Sequence, residues 1–128
     1  MHQYGEVALR AARMLRGSTM DSSDAWSAAA RALIASESSR EKGCPRGAFL
    51  GLAYAGAIEG VSGAYAADGG NNGRYARTAW KALIADPDLA LDSAALWELA
   101  RCGGPAHQNG QVDVTLALWE AGLLRRDV

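Results

Sequence analysis

The sequence contains only two cysteines, Cys44 and Cys102, among its 128 residues. Two cysteines are too few for the disulfide framework that stabilises many small secreted domains, so a reducing cytoplasm is the expected compartment. The two histidines and two cysteines do not have the paired spacing of a zinc-binding motif. We therefore predict no metal site and no cofactor.

Long apolar runs are also missing, as is an excess of charge of one sign. No segment approaches the roughly 18 apolar residues of a membrane span, and the N-terminal segment lacks the apolar core of a signal peptide. The formal net charge is −1 and the pI is about 6.1. A nearly neutral chain has no overall field to attract nucleic acid or an anionic membrane, and no membrane partner is predicted.

Helical periodicity is what the chain has in abundance. Apolar residues recur at intervals of three and four, the pattern of amphipathic helices, and Leu33 and Leu99 are among those expected to face inward. The polar residues 36–43 are predicted to form a loop. We predict an all-α fold in which residues 1–128 form a single compact domain, an irregular bundle of five or six short helices. Their apolar positions lie within residues 4–15, 26–34, 45–56, 75–84, 93–101 and 112–121, with Ser22 or Ser23 as the cap of the second helix and Asp92 or Ser93 as the cap of the fifth.

Two pairs of similar short segments suggest a partial internal duplication. RALIAS at residues 31–36 resembles KALIAD at 81–86, and LAYAGAI at 52–58 resembles LWEAGLL at 118–124. In the second pair, a glycine stands where a left-handed residue typically closes a helix, followed by an apolar residue that can pack back. Chance similarity between alanine-rich helices is the alternative.

Cys44 is the residue that most invites a catalytic interpretation. It precedes Pro45 at a predicted helix start, where the helix dipole, Lys42 and Arg46 can favour the thiolate. Nucleophilic catalysis also needs a positioned base, and neither histidine lies in a recognisable cysteine-hydrolase context. The favoured interpretation is structural: Cys44 caps the helix and Pro45 is its first residue. A thiol-dependent enzyme, with His107 as the base, is kept as a further hypothesis.

Polar residues precede two of the predicted helices. In AHQNGQVDVTLALW, residues 106–119, they could line a pocket for a small molecule or peptide, although a cap at Asn109 explains them more simply. The glycine-rich DGGNNGRYA, residues 68–76, lacks the signatures of phosphate loops, and Asn71 or Asn72 is the expected cap. No catalytic residue is assigned. The residues that a pocket or interaction surface would use are Cys44, Arg46, Asn72, Tyr75, His107, Gln111, Asp113 and Trp119.

Basic side chains support the runner-up function, nucleic-acid binding. They could follow a phosphate backbone along one side of the molecule. The near-neutral charge and the long loop before the third helix are unfavourable, since a helix-turn-helix uses a turn of three or four residues. The stripe would consist of Arg40, Lys42, Arg46, Arg74, Arg77 and Lys81.

The leading hypothesis is based on the aromatic content of the chain, which has four tryptophans and one phenylalanine. They exceed what an alanine-rich core obviously needs, so an exposed tryptophan or apolar patch is expected to mark a partner surface. Together with the absence of a recognisable catalytic set, this favours a non-enzymatic cytoplasmic interaction module. Its partner would be an unknown protein or a second copy in a homodimer.

Three segments carry a resemblance to a known family: KGCPRGAFLGLAYAGAIEGV, NNGRYARTAWKAL and NGQVDVTLALWEAGLL. They resemble the hallmark segments of a small bacterial family of uncharacterised proteins, a domain of unknown function, over roughly residues 40–124. The resemblance implies a compact helical domain without an established activity. The matching residues are Cys44, Pro45, Phe49, Leu50, Gly51, Leu52, Tyr75, Ala76, Asp113, Val114, Leu118 and Trp119.

Overall fold

All six segments with helical periodicity form helices. The computed structural model describes residues 2–127, and within them it contains no extended strand. Six helices are longer than a single turn, so the predicted all-α fold of five or six short helices is confirmed. The α-helices are α1 (Gln3–Leu15), α2 (Ser22–Leu33), α3 (Glu37–Arg40), α4 (Gly43–Tyr54), α5 (Gly70–Ala85), α6 (Ser93–Arg101) and α7 (Gln111–Glu120). Two 3-10 helices span Gly63–Tyr65 and Pro87–Leu91.

The start of α4 differs from the prediction. The helix begins at Gly43, with Lys42 as the residue that precedes it, so Cys44 lies inside the first turn and is not the cap. The placement of Pro45 as the first helical residue is wrong for the same reason. Proline is tolerated throughout the first turn, because the N–H groups there have no intrahelical acceptor, and its position alone does not fix where the helix begins.

The predicted loop at residues 36–43 contains the single turn α3. The side chain of Ser36 accepts a hydrogen bond from the N–H of Ser39 at 3.4 Å and caps this turn. The turn has no buried residue and therefore no apolar periodicity that the sequence could reveal.

The most extensive helix contact, between α4 and α5, depends on glycine. A Cβ atom on Gly51 would lie 2.2 Å from the Cα of Gly73, and one on Gly47 would lie 2.9 Å from the carbonyl oxygen of Gly69. Each partner therefore contributes two glycines four residues apart. The small residues allow the two backbones to approach closely, which places the N-terminal ends of α4 and α5 side by side.

All four tryptophans belong to the core, where none is more than 4% exposed. The ring of Trp26 packs against Phe49 with 5.4 Å between centroids, and Trp80 Nε1 donates to the carbonyl of Arg125 at 2.8 Å. The expectation that an exposed tryptophan marks a partner surface is therefore wrong. Alanine buries little area per residue, so this core needs large rings to fill the space between its helices.

The helices α4 and α7 end in the same way. Gly56 and Gly122 have φ angles of 70° and 74°, and the N–H of the residue after each glycine donates to a leucine carbonyl five residues back. The predicted glycine closures are confirmed. The chain segments that follow meet as an antiparallel bridge between Ile58 and Leu124, so these two similar segments contact one another. Their origin by duplication stays a prediction.

Candidate functional site

Three helix starts converge at one end of the molecule. A Cβ atom on Gly110, which precedes α7, would lie 2.9 Å from the Cβ of Pro45 in the first turn of α4. A Cβ on Gly47 would lie equally close to the Cβ of Asn72, in the first turn of α5. The glycines therefore let the polar first turns of α4, α5 and α7 come together, and the predicted residues Cys44, Asn72 and Gln111 belong to these turns.

Gln111 links these first turns through its buried amide. The side chain is 2% exposed, its Nε2 donates to Oδ1 of Asn72 at 2.9 Å, and its Oε1 accepts from the N–H of Asn109. Asn72 is the third residue of α5 and not its cap, because Gly69 precedes the helix with a φ of 78°. Asn109 is not the cap of α7 either, since Gly110 occupies that position. The structure thus joins Asn72 and Gln111 by a side-chain hydrogen bond between the starts of α5 and α7, and the role of this bond is structural.

Replacing Gln111 by alanine tests this link. The change removes the two hydrogen bonds that the buried Gln111 amide makes with half-buried Asn72 and with the N–H of Asn109, so we expect a loss of about 2 kcal/mol in the free energy of unfolding. Urea unfolding followed by circular dichroism measures it. The control Gln3→Ala, on an exposed position of α1, should change stability by less than about 0.5 kcal/mol. Equal effects of the two substitutions would show that the amide is not a structural link.

Asp113 belongs to a second set of contacts at the start of α7. Its Oδ2 accepts from Nε2 of Gln108 at 3.2 Å and lies 3.7 Å from Nε2 of His2. The Oε1 of Gln108 in turn accepts from the N–H of Gly110 and of Val112, so the Gln108 side chain caps the helix. An acid in the first turn is stabilised by the helix dipole, and Asp113 serves that structural purpose here.

Cys44 and Arg46 lie on the first turn of α4. The thiol is half-buried, and the guanidinium of Arg46 donates to Oγ of Ser23 and so connects α4 with the start of α2. Within the described part of the chain, no three His, Cys, Asp or Glu side chains are grouped as a metal site would require.

The remaining predicted site residues lie in different surroundings. Tyr75 is buried and meets Trp97 edge-on, with 5.4 Å between ring centroids. Trp119 is buried beneath the guanidinium of Arg126, whose carbon lies 3.8 Å from the ring centroid. A pocket shared with the first turns remains a prediction for both residues.

His107 is exposed and lines a shallow depression of about 340 Å³ together with Trp97 and Gln108. The carboxylate of Glu98 also borders this depression. Arg101 donates two hydrogen bonds of 3.0 Å to the carboxylate of Glu98, and these hydrogen bonds lower the pKa of Glu98. A carboxyl group with a lowered pKa keeps its negative charge, so Glu98 is poorly suited to donate a proton as a general acid.

The basic residues of the predicted stripe divide into two groups. Three guanidinium groups are engaged within the molecule: Arg40 donates to the carbonyl of Ala35, Arg46 to Ser23, and Arg77 to the carbonyl of Asp68. The exposed members are Lys42, Arg74 and Lys81. Nucleic-acid binding by the whole set remains a prediction.

A groove between α1 and α2 was not anticipated from the sequence. It has a volume of about 640 Å³, nearly twice that of the depression at His107, and it is open to solvent. Five of its residues belong to α1 and lie on one face of that helix, because each is three or four residues from another of the set. The lining residues are Glu6, Leu9, Arg10, Arg13, Met14 and Leu33.

The groove combines an apolar surface with a charged rim. Leu9 is nearly buried, Met14 is half-buried, and Leu33 forms one wall with 41% of its surface exposed. Arg10 and Arg13 are exposed one turn apart, and no ion pair or side-chain hydrogen bond within residues 2–127 occupies either guanidinium. The expectation that Leu33 faces inward is wrong: the side chain lies at the edge of the core and borders the groove, whereas the following residue, Ile34, is buried.

No curated protein and no solved structure matches the chain. No helix among residues 2–127 has the length and apolarity that crossing a bilayer requires. The sequence profile of one family does match, and it does so over residues 1–125. The chain therefore belongs to DUF6979, a family of unknown function.

Proposed function

We propose that this protein is a non-enzymatic interaction module whose docking surface is the α1–α2 groove. The groove receives a segment of protein that carries apolar and acidic side chains. The observation that carries the proposal is the groove itself, which combines an exposed leucine with two arginines that have no partner among the described residues.

The shape of the groove favours a protein segment over a small molecule. Sites for small ligands usually enclose most of the ligand surface, whereas this groove is open to solvent. An apolar side chain of a partner can cover Leu33 and Met14 at the same time, and methionine adapts its shape to the side chain that it meets. The groove therefore suits an anchor residue presented on a partner surface.

The charges at the rim specify the chemistry of that partner. Arg10 and Arg13 give the groove an excess of positive charge, because Glu6 is its only lining acid. Guanidinium groups bind carboxylates in a planar, bidentate arrangement. Acidic residues beside the anchor would therefore speed association and fix its orientation, while the apolar contact supplies most of the affinity.

The proposed setting is the cytoplasm. Cys44 and Cys102 are both free, and Cys102 is exposed. An exposed free thiol is compatible with a reducing compartment, where disulfides are rare.

Site-specific photocrosslinking tests the docking surface. A benzophenone amino acid replaces Leu33 in the full chain inside its native cells, and the matched control carries it at Leu99, which is 54% exposed on α6. We expect a covalent protein adduct from position 33 and none from position 99. Adding Met14→Asp should reduce the yield about tenfold, because it places a charge in the apolar contact. Equal labelling from both positions, or none from either, would contradict the proposal.

A further inference from the structure

The most exposed large apolar side chain that the structure describes is not part of the groove. Leu91 ends the 3-10 helix Pro87–Leu91 with 90% of its surface exposed. Three aspartates, Asp86, Asp88 and Asp92, surround it in the sequence and are exposed as well. We call the segment 86–92 the acidic knob. It presents one leucine among carboxylates, which is the side-chain chemistry that the groove would select.

The acidic knob is held in a fixed shape. Oδ1 of Asp86 accepts from the N–H of Asp88 at 3.2 Å, and Oδ1 of Asp92 accepts from the N–H of Ala95 at 3.1 Å. Pro87 restricts the backbone at the start of the turn. A preformed segment loses little conformational entropy when it binds, so even a small contact can yield measurable affinity.

The proposed function leaves the source of the acidic segment open, and the chain itself offers one. Resting on that function, we propose that the groove binds the acidic knob of a second copy of this protein. Leu91 inserts between Met14 and Leu33, while the aspartates face Arg10 and Arg13. Glu6 lies at the other end of the α1 face, so the knob is oriented with its carboxylates toward the arginines.

The acidic knob and the groove lie on different elements of each copy. The acidic knob packs on α5 and α6, whereas the groove lies between α1 and α2. If the groove and the knob of one copy both engage the same neighbour, the two contacts are reciprocal and form a two-fold dimer. If they engage different neighbours, the contact is heterologous and forms a ring or a chain of subunits.

Sedimentation velocity on the full chain tests this proposal, with two variants that each remove one half of the contact. Leu33→Asp disables the groove and Leu91→Asp disables the knob, and circular dichroism establishes that both remain folded. We expect the unmodified protein to associate as its concentration rises and to dissociate as salt is added. Each variant alone should need at least about tenfold higher concentration to associate, because each places a charge in the apolar contact, and in the groove variant that charge also faces the aspartates of the knob. The control Leu99→Asp, on an equally apolar exposed residue outside the contact, should behave like the unmodified protein.

Mixing the two variants gives the decisive measurement. One variant retains an intact knob and the other an intact groove, so an equimolar mixture should form a heterodimer and no larger species. An unmodified protein that stays monomeric at millimolar concentration would overturn the second-copy proposal, as would association that neither variant weakens or a mixture without heterodimer. The proposed function fails separately: it would survive a monomeric protein if the adduct at position 33 contains a different acidic protein.

Discussion

Gly51→Ala is expected to remove most of the stability of the fold. The added Cβ would lie 2.2 Å from the Cα of Gly73 and 2.6 and 2.7 Å from its carbonyl oxygen and carbon. All three are backbone atoms, which cannot rotate away as the end of a side chain can. Because α4 and α5 would have to separate along their whole contact, we expect a loss of about 4 kcal/mol or more in the free energy of unfolding. Typical domains have about 5–15 kcal/mol in total, so the variant should be partly unfolded at room temperature.

The matched control for this substitution is Gly43→Ala in the same helix. No atom lies within 4 Å of a Cβ built on Gly43, and its φ is not in the left-handed region. Alanine should therefore be neutral there or raise stability by up to about 1 kcal/mol, since it restricts the unfolded chain and favours the helix. Urea unfolding followed at 222 nm compares the two variants. If Gly51→Ala unfolded within about 1 kcal/mol of Gly43→Ala, the close approach of α4 and α5 would be disproved.

Trp26→Ala is expected to have the second largest effect. Trp26 is 1% exposed and is, with Phe49, among the largest fully buried side chains of the core. Removing its ring deletes the contact with Phe49 and leaves a cavity that rigid helices fill only in part. Substitutions of this kind cost about 3–5 kcal/mol, measured as the change in the urea midpoint at constant slope.

Two further substitutions separate the effect of the cavity from other effects. Trp26→Phe keeps an aromatic ring against Phe49 and should cost clearly less than Trp26→Ala. Leu99→Ala removes an exposed leucine of α6 and should change stability by less than about 0.5 kcal/mol. A loss for Trp26→Ala no greater than that for Leu99→Ala would mean that Trp26 does not fill the core.

The helices were predictable because their apolar faces repeat over several turns. The start of α6 at Ser93 was also predictable, whereas the starts of α4 and α5 were not. Gly43 is the first residue of α4 and Gly69 precedes α5, and neither helix start has a side-chain cap. The residues that indicate a helix start in a sequence are Ser, Thr, Asp and Asn. At Gly69 glycine is needed because its φ is 78° and a Cβ would lie 2.0 Å from the carbonyl oxygen of Gly47, and this tertiary contact is not visible in a local pattern. Gly43 has no such contact. The single turn α3 was missed because it buries nothing.

The polar cluster at the helix starts was partly predictable. Asn72 and Gln111 were both named as candidate residues, and their side chains do bind each other across 39 positions of sequence. The groove was missed because periodicity indicates which side of a helix is apolar, but not whether a neighbour covers it. Leu33 and Leu99 belong to apolar patterns and are nevertheless exposed, while their chain neighbours Ile34 and Ala100 are buried, so each leucine lies at the edge of its apolar face. Exposure at such positions depends on the course of the following loop.

The bridge between Ile58 and Leu124 has a consequence for how the protein is made. The N–H of Glu59 donates to the carbonyl of Leu123, and the N–H of Arg125 donates to that of Ala57, so the final turn fastens the middle of the chain. The helix α7 before it supplies the surface on which α1, α4 and α5 pack. While these residues are still missing from the growing chain on the ribosome, the helices α1, α4 and α5 have no α7 surface to pack on. Cooperative closure of the core therefore waits until residues 111–125 have left the ribosome.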